Sequence, residues 1–360
     1  MSDQFSNSDQ KYMNRAIQVA RKGLYTTHPN PRVGCVLVKN DQIIGEGYHR
    51  KSGERHAEVN ALDHAGAAAN GAICYVTLEP CCHHGKTPPC TDALIEAGIG
   101  EIFIGMKDPN PLVAGKGIAA LEAAGIKVTT GICTKQAEGL NPGFIKRMKS
   151  GLPYIRIKIG ASLDGRTAMA SGESQWITSE ASRKDVQKWR ARSSAVVTGI
   201  ETILADDPSL NVRDPELDIA SRQPIRVVLD SHNRFPANSK MCELPGETLV
   251  MTTKKTDQKN RIQIDSNIDQ KVDLEKAMGK LAEKEINEVL VEAGSTLSGA
   301  FIQAGLVDEL IIYLAPKFLG SAAKPLLELT GLEKLSDCVQ LDIQGMKKID
   351  KDIRIMAKII

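Results

Sequence analysis

The chain has 360 residues, of which 42% are hydrophobic and 25% are charged, and its formal net charge is +2. This composition is typical of a globular protein, and at roughly 150 residues per domain the length predicts two domains. The balanced charge and the low aromatic content of 4% argue against a nucleic-acid partner, which would require basic patches and stacking aromatics. The sequence also contains no apolar run that would serve as a signal peptide or membrane span. We therefore expect a cytoplasmic protein without a membrane partner.

The first half of the chain alternates predicted helices and strands, which is typical of an α/β domain. A helix capped by Ser8 comes first, followed by a β-hairpin whose strands, 33–38 and 42–48, are joined at Asn40-Asp41. The other predicted elements are helices near 56–65, 92–97 and 118–124 and strands at 72–78, 101–106 and 126–130. Glycines, prolines and basic residues then accumulate at 141–153, where we predict a linker.

The second half begins with a predicted strand at 154–159 and a helix at about 179–192. The elements predicted after these are strands at 195–198, 225–230, 248–252 and 288–292 and helices at 274–284 and 296–304. Two further stretches, 310–314 and 352–360, predict antiparallel edge strands. The sequence thus predicts an α/β protein with two domains, at 1–150 and 151–360.

One cluster in the first half has the composition of a hydrolytic zinc site. His56 is followed by Glu58, and Cys81 follows Pro80 and precedes Cys90. One imidazole and two thiolates leave the fourth tetrahedral position of zinc open to water, which distinguishes catalytic from closed structural zinc. Bound zinc makes hydroxide available near neutral pH, and Glu58 is placed to shuttle the proton. We predict zinc at His56, Cys81 and Cys90, with Glu58 as the catalytic residue.

The spacing of the two cysteines departs from the general signature of zinc deaminases. His-x-Glu followed by Pro-Cys-x-x-Cys is the signature of zinc deaminases, but here eight residues separate the cysteines. The segment VTLEPCCHHGKTPPCTD (76–92) resembles the bifunctional riboflavin-biosynthesis family, diaminohydroxyphosphoribosylaminopyrimidine deaminase / 5-amino-6-(5-phosphoribosylamino)uracil reductase, in which the long gap is the rule. The segments that match this family elsewhere are THPNPRVGCVLV (27–38), GEGYHRKSGERHAEVNAL (45–62), DPNPLVAGKG (108–117), KIGASLDGRTAMASGESQWIT (158–178), LADDPSLNVR (204–213) and VEAGSTLSGAFIQAGLVDEL (291–310).

The resemblance implies a cytidine-deaminase-like domain followed by a dihydrofolate-reductase-like domain. It implies that the first domain deaminates 2,5-diamino-6-(5-phosphoribosylamino)pyrimidin-4-one and that the second uses NADPH to reduce the ribosyl group of the product to ribitol. In the first domain it implies substrate contacts from Asn30, His49 and Lys86. It also implies a homo-oligomer, dimer or tetramer, that acts on small molecules.

The resemblance implies two further sets of contacts in the second domain. The expected cofactor contacts are a pyrophosphate loop, formed by Gly294, Ser295, Thr296, Leu297, Ser298, Gly299 and Ala300, and the separate residues Gly160, Trp176, Thr202, Asp206 and Ser231. The expected substrate contacts are Lys158, Ser174, Arg190, Leu210, Arg213 and Glu292. Arg190 and Arg213 are expected to hold the phosphate, since a guanidinium fork matches phosphate oxygens. Lys158 and Asp206 both remain candidates for the general acid of the reduction.

Two other functions stay open on the residues alone. The zinc domain could belong to a deaminase that edits nucleic acid, which the missing basic patch opposes. The zinc could instead be structural in a binding module, which the open fourth position and Glu58 oppose. We interpret Cys82 as a non-ligand, and we leave His83 and His84 out of the metal set. The five remaining cysteines are predicted to be buried thiols, as expected for a cytosolic protein; they are Cys35, Cys74, Cys133, Cys242 and Cys338.

Overall fold

Residues 5–83 and 88–360 are described by the computed structural model, and the chain divides into two units, Met1–Gly151 and Leu152–Ile360. The sequence placed the division one residue earlier. Each unit contains a β-sheet with helices, as the predicted α/β class requires. Among the described residues, none of the helices combines the length and the apolar character needed to cross a membrane.

Helices and strands alternate through most of the first unit, apart from one pair of successive strands and two successive helices at its end. Its elements are α1 (Asn7–Ala20), β1 (Gly34–Lys39), β2 (Gln42–Tyr48), α2 (Ala57–Ala65), β3 (Ile73–Leu78), α3 (Cys90–Glu96), β4 (Glu101–Met106), α4 (Lys116–Ala123), β5 (Lys127–Thr130), α5 (Thr134–Glu138) and α6 (Pro142–Ser150), with 3-10 turns at Arg21–Gly23 and Gly66–Ala69.

The sheet of the first unit has the strand order β2-β1-β3-β4-β5. β1 is antiparallel to β2 and β3, whereas β3, β4 and β5 are parallel to one another. The hairpin turns at Asn40 and Asp41, whose φ angles of 51° and 57° are the left-handed conformation that short hairpin turns need. Apolar clusters cover both faces of the sheet, one including α1 and the other α2 and α3.

Two predictions for the first unit are wrong in detail. The first helix is capped by Ser6 rather than Ser8, because Ser6 and Asp9 exchange hydrogen bonds in a capping box. The predicted linker at 141–153 is mostly helix α6, which starts at Pro142 and ends before Gly151. Proline in the first turn and a left-handed glycine after the last are ordinary helix ends, so the same residues that indicated a linker delimit a helix.

The second unit is longer and richer in strands. Its elements are β6 (Tyr154–Ser162), β7 (Arg166–Ala168), α7 (Glu180–Arg192), β8 (Ala195–Gly199), α8 (Ile200–Asp206), β9 (Ile225–Leu229), β10 (Thr248–Thr252), β11 (Arg261–Gln263), α9 (Leu274–Glu283), β12 (Glu288–Val291), α10 (Ser295–Gln303), β13 (Glu309–Ala315), β14 (Lys324–Pro325), β15 (Leu341–Ile349) and β16 (Asp352–Ile359), with 3-10 turns at Lys240–Cys242 and Leu335–Asp337.

The main sheet of the second unit has the order β11-β10-β9-β8-β12-β6-β13-β16-β15, and β7 pairs with β14 in a small separate sheet. The strands from β11 to β13 are parallel, while β16 and β15 are antiparallel additions. The prediction of antiparallel strands at 310–314 and 352–360 is confirmed, because β13 and β16 pair antiparallel, but their predicted position at the edge of the sheet is wrong. β13 and β16 lie inside the sheet, and the two edge strands are β11 and β15.

The cysteines that were predicted to be buried divide into two groups. Cys35 and Cys74 are buried beside each other on β1 and β3, with 3.5 Å between their sulfur atoms. Cys133 is half-buried, and Cys242 and Cys338 are exposed, so the prediction fails for these three. All eight cysteines are free thiols.

Candidate functional site

Three side chains of the first unit converge where two helices begin. His56 is the N-cap of α2, Cys90 is the first residue of α3, and Cys81 follows the end of β3. The Nδ1 atom of His56 lies 3.5 Å from Sγ of Cys81 and 3.3 Å from Sγ of Cys90. All three ligand atoms lie within 4.8 Å of one another, so the structure brings together the whole predicted ligand set.

This donor set fits zinc in both chemistry and spacing. Zinc binds imidazole nitrogen at ~2.05 Å and thiolate sulfur at ~2.3 Å, so a tetrahedral site needs about 3.6 Å between nitrogen and sulfur. The two nitrogen–sulfur distances of 3.5 and 3.3 Å are close to that value. Three protein donors leave one position for water or substrate, as in catalytic zinc sites.

The hydrogen bonds around Cys81 favour its thiolate form. The thiol of Cys90, the ring of His56 and the backbone N–H of Cys90, which lies 3.4 Å away, stabilise negative charge on Sγ of Cys81. These contacts lower the pKa of Cys81 to about 4, and the contact with Cys81 raises the pKa of Cys90. One thiolate is therefore favoured at neutral pH, which suits the pair to bind a cation.

Glu58 lies beside this cluster without belonging to it. It occupies the first turn of α2, is 3% exposed and contacts the thiol of Cys90. Burial raises the pKa of Glu58 to about 7, and the charge of Cys81 acts in the same direction. Its carboxyl oxygens are not among the three converging ligand atoms. The geometry is that of a proton carrier next to a metal site, and its catalytic role stays a prediction.

Asn30 and His49 lie next to each other near the ligand cluster. Nδ1 of His49 lies 3.3 Å from the carbonyl oxygen of Arg55, which can only accept, so Nδ1 carries the proton. Nε2 is then free to accept from the side-chain amide of Asn30, 3.0 Å away. Burial lowers the pKa of His49, and its ring meets that of His56 edge-on at 5.1 Å. The structure thus brings two predicted substrate contacts to the first predicted metal ligand.

The loop between Cys81 and Cys90 contains the remaining predicted residues of the first unit. Lys86 and His84 fall at 84–87, outside the described residues, so the prediction for Lys86 has no structural counterpart. Cys82 and His83 are described, and neither contributes to the converging set of ligand atoms.

Glu79 is a residue of the first unit that the sequence reasoning missed. It is 3% exposed, and its carboxylate accepts four backbone N–H groups, from Asp108, Gly115, Gly117 and Ile118, at 3.1, 3.0, 3.0 and 3.3 Å. A side chain at Gly117 would place its Cβ 2.1 Å from the carbonyl oxygen of Pro80, so the two segments touch directly. Through these hydrogen bonds Glu79 holds the segment 108–118 against the residues that lead into Cys81. The only sequence signal was an acidic residue immediately before Pro80-Cys81.

In the second unit, several predicted residues follow the carboxyl ends of neighbouring parallel strands. Glu292 follows β12, Thr202 lies just after β8, and Ser231 comes two residues after β9. Lys158 lies on β6, one position beyond the pair of Ile157 with Val291. Parallel α/β sheets bind ligands at this edge, so the topology gathers these residues where a ligand site is expected.

Glu292 is the centre of a charged cluster at this edge. Its carboxylate accepts from Arg190 through two hydrogen bonds of 2.6 and 3.0 Å, and Nζ of Lys158 lies 3.6 Å away. Arg190 also donates to the carbonyl oxygen of Asn211 at 3.1 Å. Although burial disfavours its charge, the cations Arg190 and Lys158 lower the pKa of Glu292 to about 2. The guanidinium fork of Arg190 is thus directed at a carboxylate, whereas the sequence predicted that it holds the substrate phosphate.

Arg213 is the more accessible of the two predicted phosphate ligands. Its side chain is exposed, and its backbone N–H donates to Gln187 at 2.9 Å. Burial and the nearby charge of Arg190 lower the pKa of Arg213, so two cations lie close enough to repel. An anion bound at Arg213 would relieve that repulsion. The predicted contact Leu210 is 3% exposed with a φ of 46°, and Ser174 is half-buried in the segment between β7 and α7.

The single residues that were predicted to contact the cofactor differ in their surroundings. Trp176 is 63% exposed, and the guanidinium of Arg183 lies 4.4 Å from the centre of its ring. Asp206, at the end of α8, accepts from Gln175 at 3.4 Å, next to Trp176 in the chain. The hydroxyl of Ser231 accepts the backbone N–H of Val272 at 3.0 Å. The two others are Gly160 on β6 and the half-buried Thr202 on α8.

The predicted pyrophosphate loop is largely a helix. Gly294 is the N-cap of α10, and Ser295 to Ala300 form its first turns. Ser298 and Gly299 are buried, and a Cβ on Gly299 would lie 2.0 Å from the carbonyl oxygen of Glu328. Gly299 is therefore explained by close packing inside the unit, not by approach to a ligand. The free N–H groups at the start of α10 still suit an anion, through residues 294–297.

Three comparisons with known proteins bear on these sites. A family model described as "RibD C-terminal domain" matches residues 153–355, and a model described as "Cytidine and deoxycytidylate deaminase zinc-binding region" matches residues 6–106. The riboflavin biosynthesis protein RibD of Escherichia coli K12 is 52% identical over 358 residues, which cover 96% of this chain and 98% of that protein.

Solved structures agree with this match. A structure of Acinetobacter baumannii RibD is 47% identical, with a TM-score of 0.93 over 98% of this chain and 99% of that one. A Thermotoga maritima diaminohydroxyphosphoribosylaminopyrimidine deaminase / 5-amino-6-(5-phosphoribosylamino)uracil reductase is 32% identical, with a TM-score of 0.87 over the same shares. These findings confirm the predicted fold class, a cytidine-deaminase-like domain followed by a dihydrofolate-reductase-like domain.

Proposed function

The chain belongs to the family of the riboflavin biosynthesis protein RibD, and from that premise we propose which residues take part in each of its two reactions. It is a bifunctional enzyme of riboflavin biosynthesis, a zinc-dependent deaminase and an NADPH-dependent reductase. Its substrate is 2,5-diamino-6-(5-phosphoribosylamino)pyrimidin-4-one, whose ribosyl group is reduced to ribitol after deamination. The observation that carries the residue assignment for the first step is the convergence of His56, Cys81 and Cys90 beside the buried Glu58.

In the deamination, His56, Cys81 and Cys90 hold the metal. Zinc, when bound, supplies a Lewis acid that makes water nucleophilic near neutral pH. The carboxylate of Glu58 takes a proton from the attacking water and gives it to the pyrimidine ring nitrogen, which keeps it. Glu58 then takes the second proton, from the new hydroxyl group, and gives it to the departing amine. The carbon–nitrogen bond breaks, a carbonyl replaces it, and ammonia leaves. The burial of Glu58 supports this role because it keeps bulk water away from the transferred proton.

The other first-unit assignments concern binding. Asn30 and His49 contact the pyrimidine and its ribosyl phosphate, and their side chains already hold each other in place at 3.0 Å. Because His49 accepts from Asn30, its ring presents a defined tautomer to the substrate. Lys86 is proposed as a phosphate contact from the family resemblance alone.

In the reduction, the charged cluster at the carboxyl edge of the sheet binds the substrate. NADPH, when bound, supplies the hydride to the ribosyl carbon. Arg213 holds the phosphate. Arg190, whose positive charge acts on Arg213, adds to the attraction for the phosphate, while its two hydrogen bonds orient Glu292. Lys158 is our choice for the proton donor over Asp206, because it lies 3.6 Å from Glu292 within the cluster. The further substrate contacts are Ser174 and Leu210.

The cofactor contacts are proposed at the same edge. The pyrophosphate lies at the start of α10, where residues 294–297 offer backbone N–H groups and the first three of them have small side chains. The next three residues of α10 hold the start of the helix in place. They are the buried Ser298 and Gly299 and the following Ala300. The remaining proposed contacts are Gly160, Trp176, Thr202, Asp206 and Ser231.

One assay of the purified protein tests this function. The diaminopyrimidine ribosyl phosphate is supplied with and without NADPH, while ammonia release and NADPH oxidation are followed. We expect ammonia in both cases and NADPH oxidation only after deamination. If ammonia release required NADPH, or if single-stranded DNA or RNA released ammonia faster than the free pyrimidine phosphate, the assignment would be abandoned.

We further propose that the protein is a cytoplasmic homo-oligomer, dimer or tetramer, which does not bind nucleic acid. Eight free thiols support a reducing compartment. The edge strand β15 supports self-association, because it is exposed along its length and carries apolar side chains such as Ile343 and Met346, 55% and 64% exposed. Light scattering during size-exclusion chromatography tests this. A monomeric wild-type protein at micromolar concentration would overturn it.

A further inference from the structure

A carboxylate of the chain itself occupies the start of α10. The hydroxyl of Ser295 donates to one oxygen of Glu328 at 2.9 Å, and the hydroxyl of Thr296 donates to the other at 2.8 Å. Both carboxylate oxygens are thus engaged by the first two residues of the helix. These are the small polar residues that the proposed function gives to the pyrophosphate of NADPH.

The backbone around Glu328 is fixed, whereas its side chain is exposed. The N–H of Glu328 donates to the carbonyl oxygen of Ser295 at 3.2 Å, and its own carbonyl packs against Gly299 without room for a Cβ. Two residues further on, Thr330 accepts from Gln303 at the other end of α10. Glu328 can therefore leave the helix start by a change of side-chain rotamer alone.

The start of a helix favours an anion because its N–H groups carry partial positive charge. A carboxylate and a pyrophosphate compete for that environment and for the hydroxyls of Ser295 and Thr296. We propose that Glu328 is an internal anion that competes with the cofactor pyrophosphate at the start of α10 and so lowers the affinity of the second unit for NADPH. This inference rests on the proposed position of the pyrophosphate. Glu328 has no part in the hydride transfer itself.

The test is the dissociation constant of NADPH, measured by its fluorescence with the full-length protein. Glu328→Gln removes the charge at nearly constant size, and we expect binding to tighten about two- to fivefold at low salt, the effect of one exposed charge at a helix end. The gain should shrink as salt is raised, since exposed charges are screened. Glu333→Gln is the matched control, because it removes an exposed acid of the same segment that is not paired with Ser295 or Thr296. It should bind NADPH like the wild type.

A second variant separates this inference from the proposed function. Thr296→Asp puts a fixed charge at an exposed position in the first turn of α10, which the helix tolerates but a pyrophosphate there does not. We expect weaker NADPH binding. If Thr296→Asp binds NADPH like the wild type, the pyrophosphate lies elsewhere and both proposals fail. If Thr296→Asp weakens binding while Glu328→Gln leaves it unchanged or weaker, only the role of Glu328 is overturned. Glu328→Ala should also tighten the binding of NADPH. If Glu328 had a purely structural role, its removal would not tighten that binding.

Discussion

Glu58 is separated from His56 by one residue, yet the two side chains have different expected tasks. Since Glu58 is outside the ligand set, Glu58→Gln should keep about one zinc per chain. It should lose deamination by about 10²–10⁴-fold, because the amide cannot carry the proton. Metal analysis and ammonia release check the two expectations. Reduction of the deaminated product serves as the internal control and should persist. Loss of zinc from this variant would show that Glu58 is a ligand after all.

The neighbouring Cys81 and Cys82 test the register of the metal site. Sγ of Cys81 faces Nδ1 of His56 at 3.5 Å, whereas Cys82 contributes no atom to the cluster. Cys81→Ser should therefore release zinc and abolish deamination, and Cys82→Ser should leave both nearly unchanged. Zinc content by atomic absorption and ammonia release are measured together. The opposite pattern would mean that the ligand set is wrong by one residue.

Single residues differ in how far the sequence predicts them. The metal ligands belong to a short pattern in which the residue types and their order indicate a zinc site. The sequence therefore predicted the three side chains that converge. Glu79 and Glu328 are not predictable in this way, because their hydrogen-bond donors lie 29–39 and 32–33 positions away along the chain. Only the fold shows that those donors meet one carboxylate.

At the scale of elements, Glu79 joins the end of β3 to the segment that leads into α4. In Glu79→Gln the amide NH₂ group faces backbone N–H donors, so at least one buried N–H loses its acceptor, a loss of about 1–3 kcal/mol. We expect lower stability of the first unit and weaker zinc retention against a chelator, with Cys81 itself intact. Glu122→Gln, an exposed acid on α4, is the control and should match the wild type. Unchanged zinc retention in Glu79→Gln would contradict the positioning role.

The elements that the sequence predicted are those whose residue pattern lies within one short stretch of the chain. The β1–β2 hairpin follows from alternating apolar residues around Asn40-Asp41, and α2 from the residues after His56. β15 was missed because its pairing with β16 shifts between Ile343 and Gly345, which breaks the period of two in its apolar residues. The position of β13 inside the sheet depends on β6 and β16, distant partners that no window of sequence contains.

At the scale of the whole molecule, each unit builds its own candidate site. In the first, the metal ligands come from the starts of α2 and α3 and the loop after β3. In the second, the charged cluster around Glu292 lies at the carboxyl edge of the parallel strands. Length and the order of motifs along the chain predicted two domains. The packing of Arg190 onto Glu292 depends on residues 102 positions apart and could not be predicted.

The central claim is that deamination belongs to the first unit and reduction to the second, and Arg213→Ala tests it most directly. Both reactions are measured on the full-length variant, as ammonia release from the diaminopyrimidine and as NADPH oxidation with the deaminated product. Loss of a charge-assisted hydrogen bond to phosphate costs about 1.5–3 kcal/mol, so we expect reduction to weaken about ten- to a hundredfold. Deamination should equal that of the wild type, as should both reactions in Lys280→Ala, which removes an exposed cation of α9. If Arg213→Ala abolished deamination and left NADPH-dependent reduction unchanged, the assignment of the second unit as the reductase would be contradicted.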